Sequence, residues 1–197
     1  MGARERLLEH PAVYAAWQAP FAAQKFAPVE RRLRDREIRR VLDVGCGTGT
    51  NARRFERVEY VGVDINEKYL GVARSKYQGR FIHVDLTSGD LSPLGSFDTI
   101  LVNSFLHHVS DADVERILFQ LRSRLDPAGR VHVLELVLPE RTSLARLMAR
   151  LDRGRFPRSL PRWIELLSAA FEPVVVEPYM LGGRLWSMLY FQGRVKS

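Results

Sequence analysis

The chain has 197 residues, 46% of them apolar, with 30 Lys and Arg against 23 Asp and Glu. That length suits one domain with a real core, and the apolar fraction excludes a disordered chain. The net charge of +7 is carried almost wholly by arginine. It leaves RNA, an anionic lipid surface and an acidic small molecule open as partners. Cys46 is the one cysteine, so no internal disulfide can form. The first residues lead into no apolar stretch of signal-peptide type, and no apolar run is long enough to span a bilayer. The expectation is a soluble cytoplasmic protein.

Residues 1–40 read as a helical cap, cut into short pieces by Pro11, Pro20 and Pro28. Tyr14, Trp17, Phe21 and Phe26 recur at near-helical spacing and predict an apolar stripe. From residue 41 the pattern alternates. Strands are predicted at 41–44, 60–64, 81–84, 97–102 and 131–138, and helices at 51–57, 67–77 and 113–125. Asp126-Pro127-Ala128-Gly129 is a turn signature. Residues 139–165 break the rhythm. Leu144, Leu147, Met148 and Leu151 fall at helical spacing, and seven arginines lie between 141 and 162. Strands at 174–179 and 185–191, joined by a Gly182-Gly183 link, read as a hairpin. The organisation expected is a cap at 1–40, a core at 41–138, an Arg-rich helical insertion at 139–165 and a closing helix and hairpin at 166–197. Strands alternating with helices make this α/β, a single doubly wound sheet with helices on both faces.

The run Val41-Leu42-Asp43-Val44-Gly45-Cys46-Gly47-Thr48-Gly49 is a buried strand entering a glycine turn. In open parallel sheets ligands bind beyond the carboxyl ends of the strands, where glycine lets the backbone approach them closely. The spacing is G-x-G-x-G. A dinucleotide fingerprint would place a further glycine at Thr50, and no Gly-Lys-Ser/Thr follows to make a P-loop. Asp64 closes the second strand, where an acid can accept hydrogen bonds from both ribose hydroxyls of an adenosine. Asp85-Leu86 follows the third strand, where an acid suits an adenine amine. Taken singly, acids at strand ends are often only helix caps.

Together these residues resemble a class I, Rossmann-like S-adenosylmethionine-dependent methyltransferase, similar to the small bacterial enzymes that act on small molecules. The resemblance covers roughly residues 38–138 and, more loosely, the last two strands. It implies a mainly parallel seven-stranded sheet with an antiparallel last strand, and S-adenosylmethionine as cofactor. It implies that Gly45, Gly47 and Gly49 cradle the methionine part, with Cys46 packed beside it and Asp43 holding the amino group. It further implies that Asp64, with Ile65 beside it, binds the ribose, that Asp85 and Leu86 frame the adenine, and that Asn103 lines the methionine side.

Methyl transfer from a sulfonium is an in-line displacement that needs mainly positioning and exclusion of water. A base is needed only for an acceptor protonated at working pH. The fourth strand ends in Asn103-Ser104-Phe105-Leu106-His107-His108. There His107 is the candidate base and His108 the second choice, with structural packing as the equal alternative. Asp111 and Asp113 read as the start of the next helix, so no metal site is expected. The prolines of base-amine methyltransferases are missing after Asn103, as are the carboxylates of metal-dependent catechol methyltransferases. The reading is methyl transfer to an O or N atom of a small-molecule acceptor, and nucleic acid is not expected as a partner. Lipid or RNA methylation, or a non-catalytic cofactor-binding partner, are the alternatives. Tyr14, Trp17 and Phe21 are candidates for an aromatic cover over the acceptor, or for plain core packing.

Overall fold

In the computed structural model, residues 21–34, 36–151 and 154–196 are described. Tyr14 and Trp17 lie outside them. Helix α1 spans Ala22–Leu33 and is followed by β1 (Arg40–Val44), β2 (Glu59–Asp64), α2 (Glu67–Lys76), β3 (Arg80–His83) and β4 (Phe97–Asn103). Then come α3 (Asp111–Arg124), β5 (Leu125–Leu136), α4 (Leu144–Leu151), α5 (Leu160–Ala170), β6 (Glu172–Leu181) and β7 (Trp186–Arg194). Among the described residues the strands form one seven-stranded sheet in the order β3-β2-β1-β4-β5-β7-β6. β1 to β5 pair parallel, whereas β7 runs antiparallel to both β5 and β6. The α/β class, the closing hairpin and the antiparallel last strand agree with expectation.

Both sheet faces are covered. Leu42, Val44, Ile100, Val102, Val131 and Val133 turn one way, onto Ile117 and Leu121 of α3 and Trp163 and Leu167 of α5. Val41, Tyr60, Leu101, Leu134 and Tyr190 turn the other way, onto Phe26 and Val29 of α1 and Leu70 and Ala73 of α2. A strand buried on both faces reads as a continuous apolar run, which is why β1, β4 and β5 stand out in the sequence. Trp163, fully buried, donates its indole N–H to the Leu136 carbonyl at 2.9 Å, so its polar atom is satisfied as well.

Three local expectations are corrected. Residues 51–57 do not form a helix; only a 3-10 turn, Ala52–Arg54, is present. Ala52 and Phe55 both enter the α1/α2 core. Their i, i+3 spacing is the eclipsed spacing of a 3-10 turn, and seven residues are too few to repay α-helix nucleation. Pro28 does not cut the helix, since α1 runs through it with Phe26, Pro28 and Val29 buried; packing outweighs the lost backbone bond. The turn at 126–129 does not precede the fifth strand but bulges out of it. Leu125 pairs with Phe97, and pairing resumes at Arg130 opposite Thr99.

The insertion is tied down at its end. Arg158 bridges to Val137, the Leu138 N–H donates to the Arg158 carbonyl at 2.7 Å, and the Phe156 N–H donates to the His107 carbonyl at 3.0 Å. The segment therefore closes over the end of β5 and the loop after β4.

Candidate cofactor site at the carboxyl ends of β1, β2 and β4

β1 ends at Val44 and the chain turns at once. The N–H groups of Gly45 and Cys46 both donate to the Val63 carbonyl, at 2.9 and 3.0 Å, which pins the turn to β2. Gly45 has φ +68, and a Cβ there would lie 2.7 Å from the Cβ of Phe105. Only glycine fits, because φ is left-handed and the loop after β4 presses on the position. Gly47, at φ +55, faces open space: a Cβ there would meet nothing within 4 Å. Gly49 completes the turn, its N–H donating to the Cys46 carbonyl at 3.0 Å.

Asp64 joins the turn to the end of β2. It accepts the Gly47 N–H at 2.9 Å on one oxygen and the Asn66 N–H at 2.8 Å on the other. Each oxygen keeps a further acceptor direction. Beside it Ile65 is 58% exposed, an apolar side chain held out over the same end of the sheet. Asp85 is half-buried; Thr87 donates to its Oδ1 through the hydroxyl at 2.6 Å and the N–H at 2.9 Å. Those two bonds, the hydroxyl's first, hold its carboxyl below the usual range. Leu86 is buried in the core on the α3/α5 side. Cys46 packs over Gly62, and burial pushes its thiol far up, so no thiolate nucleophile stands here.

Asp43 is fully buried. The Tyr60 hydroxyl and the Asn51 amide, the latter at 3.0 Å, both donate to its Oδ2. Its Oδ1 has no partner. Burial is the largest influence and pushes the carboxyl up to about 6, against the two donors that lower it. In register Asp43 stands opposite Leu101 of β4, so Asn103 lies on the same face two residues on. The Asn103 Oδ1 is likewise buried without a partner. Two buried acceptors without protein donors, on neighbouring strands above an open glycine turn, are costly unless a ligand or bound water supplies the donors.

Ser104 follows at φ 55, a left-handed value uncommon outside glycine. Its N–H donates to the Leu134 carbonyl at 2.7 Å. The next turn is organised by Glu135 of β5, which is fully buried. Glu135 accepts the N–H of Phe105 at 2.9 Å and of Leu106 at 2.7 Å on Oε1, and meets His107 Nδ1 at 2.7 Å with Oε2. His107 is 4% exposed, and Gly154 of the insertion lies against its ring. His108 is exposed, its ring 4.2 Å from that of His107. Arg158, 5% exposed, clamps the same loop. It donates to the carbonyls of Leu106 at 3.0 Å and Val109 at 2.8 Å and to Asp111 at 2.6 Å.

Most of the residues singled out in the sequence thus gather at one end of the sheet. Phe21 does not join them; it packs against Gly182 in the β6–β7 turn, several strands away. Glu135, Tyr60, Asn51 and Arg158 were missed. Glu135 carried a signal, as a lone acid inside the apolar run of β5; the other three carried none. Among the described residues, no group of three or more His, Cys, Asp or Glu is placed to hold a metal.

Comparison with known proteins points to methyltransferases. Residues 41–129 match the family model of a methyltransferase domain. An uncharacterised methyltransferase of Mycobacterium tuberculosis is 34% identical over 137 residues, spanning 62% of this chain and 68% of that protein. Demethylmenaquinone methyltransferase of Tropheryma whipplei is 36% identical over 140 residues, 67% of this chain and 55% of that protein. Among solved structures, magnesium protoporphyrin IX methyltransferase from Synechocystis, with bound SAH, superposes with a TM-score of 0.68 at 20% identity, covering 88% of this chain and 83% of that one. A protein of Pyrococcus horikoshii gives 0.70 at 19% identity, covering 93% and 92%. At such identities the structural likeness speaks for the fold, and the sequence relatives for the family. The chain belongs to the class I, Rossmann-like S-adenosylmethionine-dependent methyltransferases.

Proposed function

We propose that this protein transfers a methyl group to an O or N atom of a small-molecule acceptor, chiefly by positioning and desolvation. The observation that carries the site assignment is the pair of buried, partnerless oxygens, Asp43 Oδ1 and Asn103 Oδ1. They fit the amino end of the S-adenosylmethionine methionine, which brings hydrogen-bond donors and a positive charge. Asp64 would accept from the ribose hydroxyls, with Ile65 against the sugar and ring, and Asp85 would accept from the adenine amine. The turn at Gly45, Gly47 and Gly49 lets backbone approach where side chains would block. When bound, the cofactor supplies a methyl already activated by its positive sulfur.

The protein's own contribution is then to hold the acceptor and keep water out. The loop 104–108 closes the β4 side, fixed from below by Glu135 and from the side by Arg158. His107 is the proposed base for an acceptor protonated at working pH. Its Nδ1 is set on Glu135, which orients the ring as a carboxylate orients a catalytic imidazole. Small-molecule acceptors accord with the names of relatives such as a ubiquinone biosynthesis O-methyltransferase of Rhizobium etli, 31% identical over 147 residues.

The test is calorimetry with S-adenosylhomocysteine on the wild type and Gly47→Arg. The arginine side chain starts in open space, so its expected cost to folding is only the left-handed backbone penalty, about 1–2 kcal/mol. Binding is expected to be lost while the melting transition survives. Retained binding in the variant overturns the assignment of the loop.

A further inference from the structure

Helix α4 is turned the opposite way from what its sequence suggests. Its small residues, Ala145 and Ala149, are 5% and 1% exposed. Ala149 packs with Leu136, Leu181 and Met188, at the carboxyl end of β5 and the adjoining ends of the hairpin. Its larger residues Leu144 and Leu147 are 57% and 54% exposed, and Phe156 beyond the helix is 40% exposed. With Ala145 and Ala149 in the core and Leu144 and Leu147 in water, this leucine pair has no partner among the described residues.

The charge around that face is mainly positive. Seven arginines lie between 141 and 162. Arg158 and Arg162 are paired with Asp111, at 2.6 Å each, and Arg162 also with Glu165 at 2.7 Å, so two acids balance the two arginines. Arg141 and Arg155 are exposed. Arg146 donates to backbone carbonyls of Pro139 and Glu140, which leaves its charge uncompensated. Between 139 and 157 the acids are Glu140 and Asp152, against five arginines other than Arg158 and Arg162. A second copy of the chain docked here about a two-fold axis would set these arginines against themselves. An anionic lipid surface instead accepts both parts, the leucines in the acyl boundary and the arginines among the headgroups.

We infer that α4 and the Phe156 segment form a docking surface for an anionic lipid bilayer, with Leu144, Leu147 and Phe156 inserted and Arg141 and Arg155 at the headgroups. The surface lies at the same end of the sheet as the cofactor site, so docking turns the site's cover toward the membrane. Docking needs no turnover and stands independently of the acceptor reading.

The experiment is flotation of the full chain with vesicles of phosphatidylcholine alone or mixed with phosphatidylglycerol, at physiological salt. Binding is expected to the anionic vesicles only. Leu144→Ser with Leu147→Ser is expected to weaken it at least about tenfold, and Arg141→Glu with Arg155→Glu to abolish it. All four positions are solvent-facing, so S-adenosylhomocysteine binding by calorimetry is expected to stay unchanged in both variants and to report an intact fold. No binding to anionic vesicles, equal binding to neutral ones, or full binding by the serine variant overturns the inference. So does a dimer in sedimentation that the serine pair dissociates, since a second copy would then occupy the face.

Discussion

Burial acts on Asp43 and His132 in opposite senses. Asp43 is pushed up to about 6, by desolvation first, so the folded state holds its proton more tightly than the unfolded chain does. Its contribution to stability is full below about pH 4 and is lost as pH rises through about 6, roughly 3 kcal/mol in all. His132 is pushed down to about 3, again by desolvation first, with Arg36 and Arg130 adding to it. Its contribution is present above about pH 6.5 and is lost as pH falls toward about 3, roughly 5 kcal/mol. Between about pH 4 and 6 the two slopes oppose each other. Urea denaturation across that window should therefore show Asp43→Asn gaining stability with rising pH more steeply than the wild type. His132→Gln, which keeps a polar group near the Tyr190 hydroxyl (3.0 Å from the imidazole), should instead lose stability with rising pH. Parallel curves for the wild type and Asp43→Asn would show that Asp43 titrates as an ordinary carboxylate. Cofactor binding opposes this cost, since a donor at Asp43 Oδ1 favours the charged form.

At the scale of elements, the loop after β4 is held by groups from two other segments, Glu135 of β5 and Arg158 at the end of the insertion. Glu135→Ala would leave the N–H groups of Phe105 and Leu106 buried without an acceptor and free the His107 ring. The expected cost is about 3 kcal/mol, read by urea denaturation. Arg158→Met strips donors from the Leu106 and Val109 carbonyls, while Arg162 still holds Asp111 at 2.6 Å. Its expected cost is smaller, about 2 kcal/mol, and a cost near zero would mean that water satisfies those carbonyls. Elements whose apolar residues matched one period were legible in the sequence, as β1, β4 and α3 show. The 51–57 segment was misread because two core residues three apart suit an α-helix and a 3-10 turn alike, and only the packing of Phe55 and Ala52 against α1 chooses.

Across the whole molecule, β7 is the strand that joins the closing hairpin to the parallel sheet. It pairs with β5 on one side and β6 on the other, and Leu189 and Phe191 enter one core while Tyr190 enters the other. A chain ending at Leu185 would leave β5 with a bare edge and both cores open. It is expected to show no cooperative melting transition by near-ultraviolet circular dichroism, whereas the intact chain melts in one. A sharp transition in the shortened chain would mean that β1 to β5 form an independent core.

The sequence by itself determined the α/β class, the order of strands along the chain, the glycine turn and its acids, and hence the family and its cofactor. These are local signals: a strand buried on both faces is apolar throughout, and a turn needing left-handed backbone needs glycine. Only the tertiary structure decided which polar groups meet. That Asp43 takes Tyr60 and Asn51, that Glu135 and Arg158 grip the His107 loop, and that α4 turns Leu144 and Leu147 outward depend on register and packing between segments far apart in the chain. Periodicity can say that a helix has an apolar face. It cannot say whether the alanines or the leucines will find the core, because that is settled by the space left over the ends of β5 and β7.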